Sequence, residues 1–143
     1  MVKVQQSVVI GKLVEEVFAY SQDIKNAAKF QSGVDSLEMV DGPDNTVGSK
    51  YAEVRHFLGK EMRTTLEIKA FKENELWGAR VIEGPLPYEV TMCYEAVPDG
   101  TKITTTVEAE PKGFFKLAEK AVASSLEKSL AEDFATLKKL LEG

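Results

Sequence analysis

The segment PKGFFKLAEKAVASSLEKSLAEDFATLKKLLEG, from Pro111 to Gly143, sets what this chain can fold into. Between Gly113 and the last residue it holds no Pro or Gly, and it is rich in Ala, Leu, Glu and Lys, which enter helices at little cost. Apolar or small residues recur in steps of three and four: Phe115, Ala118, Val122, Ser125 or Leu126, Ser129 or Leu130, Phe134, Leu137 and Leu141. One long amphipathic helix is predicted. Its apolar side must be covered, and the extended segments before it are the only large partner, so a curved sheet gripping a C-terminal helix is expected. The inward positions of the first half are small (Ala118, Ala121, Ser125, Ser129), whereas those of the second half are large (Phe134, Leu137, Leu140, Leu141). A cavity is therefore expected opposite the first half and a packed core opposite the second. The alternative is that Trp77 and the tyrosines fill that space.

The preceding chain reads as strands with one helical interruption. KVQQSVVI, residues 3 to 10, carries β-branched residues up to Gly11, and two short helices follow, one with Val14, Val17, Phe18 and Ser21 on a side, the other IKNAAKF behind a capping Asp23. From Val34 to Glu110 six extended segments alternate with turn signals. The fold class is α+β: a curved seven-stranded antiparallel sheet, two short helices after the first strand and a long helix packed across the sheet. At 143 residues one domain spanning 1–143 is expected, able to bury roughly 70% of its unfolded surface.

Alternation assigns faces. Met62, Thr64, Leu66, Ile68 and Ala70 point inward; a tight turn at Glu73 and Asn74 pairs Ala70 with Trp77, Ile68 with Ala79 and Leu66 with Val81, sending Arg80 outward. An Asp99-Gly100 turn pairs Ile103 with Ala96, Thr105 with Tyr94, Val107 with Met92 and Ala109 with Val90. The expected lining is Leu66, Ile68, Trp77, Ala79, Tyr88, Val90, Met92, Tyr94, Thr105 and Val107, closed by Phe115, Ala118 and Val122. One hairpin stays open. A two-residue turn at Leu58 and Gly59 places Tyr51, Glu53 and Arg55 inside; a three-residue turn places Ala52, Val54 and His56 there. Hydrophobicity favours the second.

Net charge of −5 without a Lys/Arg cluster argues against nucleic acid. One Cys (Cys93, on an outer position) and one His exclude a Cys/His zinc site, and no metal or cofactor is expected. No segment has the roughly 20 apolar residues of a membrane span, so a cytoplasmic protein, monomer or homodimer, is the expectation.

The order strand, two short helices, six-strand meander and long helix resembles the START-like (SRPBCC) superfamily with its helix-grip fold, and within it the polyketide cyclase and dehydrase group. The residues that carry the resemblance are EEVFAYSQDIKNAAKFQSGV at 15 to 34, VGSKY at 47 to 51, LGKEMRTTLEI at 58 to 68, EGPLPYEVTMCYEAVPDGTKIT at 83 to 104 and GFFKL before the helix. Many relatives carry Pro-x-Trp where this chain has Ala28, Lys29 and Phe30, so its rim there is expected to differ. The resemblance implies an elongated apolar cavity for lipids, polyketides, quinones or similar molecules, in proteins that bind or catalyse. Candidate catalytic residues are His56 as a base, Tyr94 and less securely Tyr88 as hydrogen-bond donors, and Arg55 with Glu53 as a head-group site. Gly84 to Pro87 form a stiff loop able to gate one mouth, and Asp133 is expected at the surface. Three functions stay in play: binding of a hydrophobic small molecule, a polyketide cyclase, aromatase or dehydratase activity, and a protein-interaction module using the outer face with Arg63, Glu67, Lys69 and Arg80.

Overall fold

Seven segments rich in β-branched residues form a single antiparallel sheet: β1 Val2–Ile10, β2 Val34–Asp41, β3 Lys50–Phe57, β4 Lys60–Lys72, β5 Leu76–Glu83, β6 Tyr88–Val97 and β7 Gly100–Ala109. The structure, a computed structural model, describes residues 1–143. Strands β2 to β7 run as a meander, and β1 pairs with β7, giving the order β1-β7-β6-β5-β4-β3-β2. Helix α1 (Val14–Gln22), a 3₁₀ turn at Ile24–Asn26 capped by the Asp23 carboxylate, and α2 (Ala27–Phe30) carry the chain from one edge of the sheet to the other. The C-terminal segment forms α3 (Phe114–Leu117) and α4 (Glu119–Glu142). The predicted single helix is thus broken at Ala118, whose φ of −107° and ψ of 27° leave the helical region, while Phe115 anchors the α3 turn against Phe57 of the sheet.

Helix α4 packs chiefly along β1 and is fastened at both ends. Near its start Val122 joins Phe115, Val107 and Leu86 in one core; near its end Phe134 and Leu137 join Ile10, Phe18 and Ile103 in another. Lys138 Nζ donates to the Val9 carbonyl (2.6 Å), and Glu142 accepts from the Gly11 N–H (2.6 Å), which holds the Glu142 pKa below the usual carboxylate value. Two residues assigned to the inward stripe, Ala121 and Leu140, are exposed.

One hairpin left open by the sequence is decided, and two others depart from the expected register. Between β3 and β4 the turn has two residues, Leu58 and Gly59, at φ 52° and 75°, and it pairs Arg55 with Met62, Glu53 with Thr64 and Tyr51 with Leu66. Positive φ at both central positions is the turn that matches strand twist. A leucine there costs about 1–2 kcal/mol, offset by its packing onto the Phe57 and Phe115 core. Tyr51, Glu53 and Arg55 therefore face inward and His56 outward, against the hydrophobicity argument. Between β4 and β5 the turn has three residues, Glu73 to Glu75, and pairs Phe71, not Ala70, with Trp77. A bulge at Lys69 then restores the expected pairs Ile68 with Ala79 and Leu66 with Val81, and turns Ala70 to the outer face opposite Gly78.

Between β6 and β7 the turn is Pro98-Asp99, so Ile103 opposes Tyr94, Thr105 opposes Met92 and Val107 opposes Val90. The slip is even, so every side chain keeps its face. Gly100 is needed for a reason other than that turn: its φ is +136°, and a Cβ would collide with the Ile10 carbonyl oxygen and the Gly11 Cα. Gly100→Ala is expected to cost more than about 2 kcal/mol, read as a lower midpoint in urea unfolding, because backbone of the β1 end must move to admit the methyl group.

Candidate functional site

Helix α4 lies along β1, and a cavity of about 180 Å³ lies between it, the α1–α2 side and the strands beyond. Its sheet wall includes Ile68, Trp77, Tyr88, Val90, Met92, Thr105 and Val107; Leu126, Ser129, Leu130, Asp133 and Phe134 line it from α4, and Ser21, Ala27, Phe30 and Gln31 from the α1–α2 side. The cavity is opposite the centre of the helix, not its first half. Phe115, Ala118 and Val122 are off the wall, the first and last being buried in the core beside it. Leu66, Ala79 and Tyr94, also expected to line it, do not. Leu86, at 2% exposure, closes the end near α3, so the Gly84 to Pro87 loop is a plug there. The opposite end opens past exposed Asp44 and half-buried Asn45, Asp23 and Ile24, with the Asn45 amide donating to the Gln22 carbonyl across it (3.4 Å).

One patch of this apolar wall is charged. Arg55 on β3 donates from Nε to Glu53 Oε1 (2.9 Å) and from Nη2 to Glu53 Oε2 (3.2 Å), a bidentate pair, and Nη2 also donates to Gln31 Oε1 (3.0 Å). Tyr88 on β6 donates to Glu53 Oε1 (3.4 Å). Strand alternation puts Glu53 and Arg55 on the same face, and Gln31 meets them because it ends α2 above the sheet. Burial alone would lower the Arg55 pKa, but Glu53 outweighs it and holds the guanidinium charged. Burial, then nearby Tyr88 and Glu53 for Tyr51 and Glu53 for Tyr88, raises the pKa values of these two phenols against the attraction of Arg55, and both stay neutral.

Asp133 completes the group from α4. Expected at the surface, it is 9% exposed, with Oδ1 accepting the Ser32 backbone N–H (3.3 Å). Burial pushes its pKa up to about 6, against the Ser32 hydrogen bond and the attraction of Arg55. Helical periodicity contained the signal, since position 133 lies between inward 130 and 134. Residue type argues the other way, because isolated carboxylates seldom point inward.

The other polar candidates are engaged elsewhere. His56 lies on the outer face, 57% exposed, paired through Nδ1 with Asp35, and cannot serve a cavity. The Tyr94 hydroxyl is bound by Ser21 Oγ (2.6 Å) and Gln22 Nε2 (2.7 Å); burial pushes its pKa up to about 12. Both are withdrawn as catalytic candidates. Thr105 Oγ1 is buried without a hydrogen-bond partner. Cys93 is exposed, and no three His, Cys, Asp or Glu side chains converge as metal ligands. On the outer sheet face Arg63 pairs with Glu61 and Lys69 with Glu67, so these charges largely satisfy one another. No helix is long and apolar enough to cross a membrane.

The family model described as "Polyketide cyclase / dehydrase and lipid transport" matches residues 1–142. The chain belongs to that family. No curated protein is similar enough to match it. Among solved structures, a Thermus thermophilus protein superposes with a TM-score of 0.84 at 20% identity, covering 98% of this chain and 97% of that one. A START superfamily protein from Mycobacterium smegmatis gives 0.79 at 14% identity, with coverages of 98% and 97%, and the major latex-like protein 151 of Panax ginseng gives 0.74 at 15%, with 97% and 96%. At these identities the likeness is one of fold, the helix-grip arrangement of sheet and helix. Family membership fits both hydrophobic ligand binding and cyclase-like chemistry.

The Asp133 carboxyl gives the site a pH signature. Its folded pKa lies above the ordinary 3.8, so the folded state binds the proton more tightly and stability falls as pH rises from about 4 to about 6. Asp133→Asn keeps an acceptor for Ser32 and removes that penalty. It is expected to stabilise the protein at pH 8 by up to about 3 kcal/mol, with the gain vanishing below about pH 4, as measured by urea unfolding of both proteins across pH.

Proposed function

We propose that this protein binds a small, largely apolar molecule carrying a neutral hydrogen-bonding end, held between the sheet and the middle of α4. The observation that carries this reading is the buried Glu53–Arg55 pair on the wall of an otherwise apolar cavity. Burying a charge pair is costly, and apolar residues of similar volume generally pack a core as well or better. The pair makes sense as a fixed donor and acceptor for a polar group. Because Glu53 already neutralises Arg55, and Asp133 adds a second carboxyl, an alcohol, phenol or carbonyl suits the site better than a carboxylate. The volume of about 180 Å³ limits the occupant. A cavity of about 150 Å³ holds a benzene ring, so a single-ring phenol, quinone or short-chain molecule fits as the helices stand.

A second reading, cyclase or dehydratase chemistry, is favoured by Asp133. A carboxyl with a pKa of about 6 on α4, facing charged Arg55 and neutral Tyr88 on the sheet, supplies a proton acceptor and two donors around one cavity. Full turnover by Asp133→Asn on a true substrate would exclude it.

Trp77, the only tryptophan, lies on the cavity wall and serves as a built-in reporter. Titration with single-ring phenols and quinones is expected to change its emission, whereas carboxylates of equal size leave it unaltered. Ser129→Phe, which fills the cavity from α4, and the double change Glu53→Gln with Arg55→Met, which removes both charges together, are each expected to weaken binding at least tenfold, about 1.4 kcal/mol. Equal affinity in both variants, with the fold intact by circular dichroism, refutes the placement.

A further inference from the structure

The surface around α3 is built unlike the rest of the molecule. Leu117 is 92% exposed and Phe114 47%, three residues apart on a one-turn helix. That turn is set off by non-helical residues on both sides, Gly113 at φ 59° and ψ −131° and Ala118 at φ −107° and ψ 27°. Two large apolar side chains thus stand exposed on one turn. Lysines surround them. Lys112, Lys116 and Lys120 follow one another at intervals of four along the chain, and Lys60, at the end of the β3–β4 turn, places its ammonium 4.4 Å from the Phe114 ring centre. None of the four takes part in a salt bridge, whereas the neighbouring carboxylates are occupied: Glu61 by Arg63 (3.0 Å) and Glu119 by the N-terminal amine (3.5 Å). On a chain of net charge −5 this is a patch of the opposite sign.

We propose that the α3 end docks on an anionic lipid bilayer, with Phe114 and Leu117 entering the interface and the four lysines meeting lipid phosphates. Exposed apolar groups flanked by long, flexible ammonium side chains fit a fluid anionic surface, which needs no matching shape. Each lysine near such a surface adds attraction that salt screens. The acidic remainder of the protein is repelled by the same surface, so the charge distribution also orients the molecule. Beneath the patch, Phe115 lies against Phe57, which lines the cavity, so docking would bring that end of the cavity to the lipid. The proposal stands whether or not the cavity's occupant is the one argued above, since it concerns an outer surface.

Co-sedimentation of the full chain with phosphatidylcholine vesicles, with and without phosphatidylglycerol, tests it at low and high salt. Binding is expected only to the anionic vesicles, and is expected to fall about tenfold or more at high salt. Phe114→Ser with Leu117→Ser, and separately Lys112→Glu with Lys116→Glu, are expected to abolish it while circular dichroism and Trp77 emission stay unchanged. Lys29→Glu with Lys139→Glu, the same charge change on lysines outside the patch, is expected to reduce it far less. The proposal is overturned by absence of binding to anionic vesicles at low salt, by undiminished binding of the Phe114/Leu117 variant, or by equal loss in the two lysine variants. Light scattering that shows a dimer lost on Leu117→Ser, without vesicle binding, would assign the patch to a second copy instead.

Discussion

Helix α4 rests along β1 and comes close to no other strand over any length, and the site follows from that constraint. Val122 near the start, and Phe134 with Leu137 near the end, are buried in separate cores; Lys138 and Glu142 tie the last turns to the β1 end. A rigid helix laid along the edge strand of a concave sheet leaves a gap over the strands it does not touch. The side chains facing that gap, Leu126, Ser129, Leu130 and Asp133, are too short or too few to fill it. Close packing at the ends and a void at the centre are consequences of one curvature, and no specialised lid or insertion is required.

The chemistry of the gap depends on the parity of one strand. A two-residue turn at Leu58 and Gly59 puts Glu53 and Arg55 inside, and one more residue in that turn would have made the wall apolar with a histidine. Hydrophobicity misjudged this hairpin because it scores residues singly, whereas Glu53 and Arg55 enter as a bidentate pair with Gln31 and Tyr88 satisfying what remains. Turn geometry was the better guide. Gly59 at the second turn position tolerates positive φ, and Leu58 is held there by packing rather than by its own preference.

Periodicity made the architecture legible: seven strands, two short helices, a terminal helix and, in the main, which strand residues face inward. Facing survived even where register did not. The β6–β7 turn was placed one residue late, and the β4–β5 turn was one residue too short in the reading, yet an even slip and a bulge at Lys69 returned most side chains to the expected face, Ala70 and Phe71 excepted. Position along the cavity was less legible. Small residues at Ala118 and Ala121 suggested room opposite the helix start, but Ala118 marks a break and Ala121 points to solvent, while Phe115 and Leu86 plug that end. Side-chain size on one element does not report a void; the element opposite decides it. Gln31 was missed because it lies at the end of a four-residue helix, with no periodic pattern to mark it.

Carriers and cyclases can share this fold, so the difference must lie in whether the cavity's polar groups are saturated. A group whose hydrogen bonds are complete can orient a ligand but has little left with which to move a proton. Here Arg55 is neutralised by Glu53, and Tyr94 is closed off by Ser21 and Gln22. Two groups are left less engaged: Thr105 Oγ1, which has no partner, and Asp133, which is held by Ser32 alone and whose proton affinity burial sets near neutrality. Of these two, only the carboxyl can change its charge near neutral pH. With Asp133 protonated the wall is a set of donors around one fixed ion pair, suited to a carbonyl or phenol. When it is ionised, the same wall carries one uncompensated negative charge, and a bound molecule with an acidic proton becomes its nearest available partner.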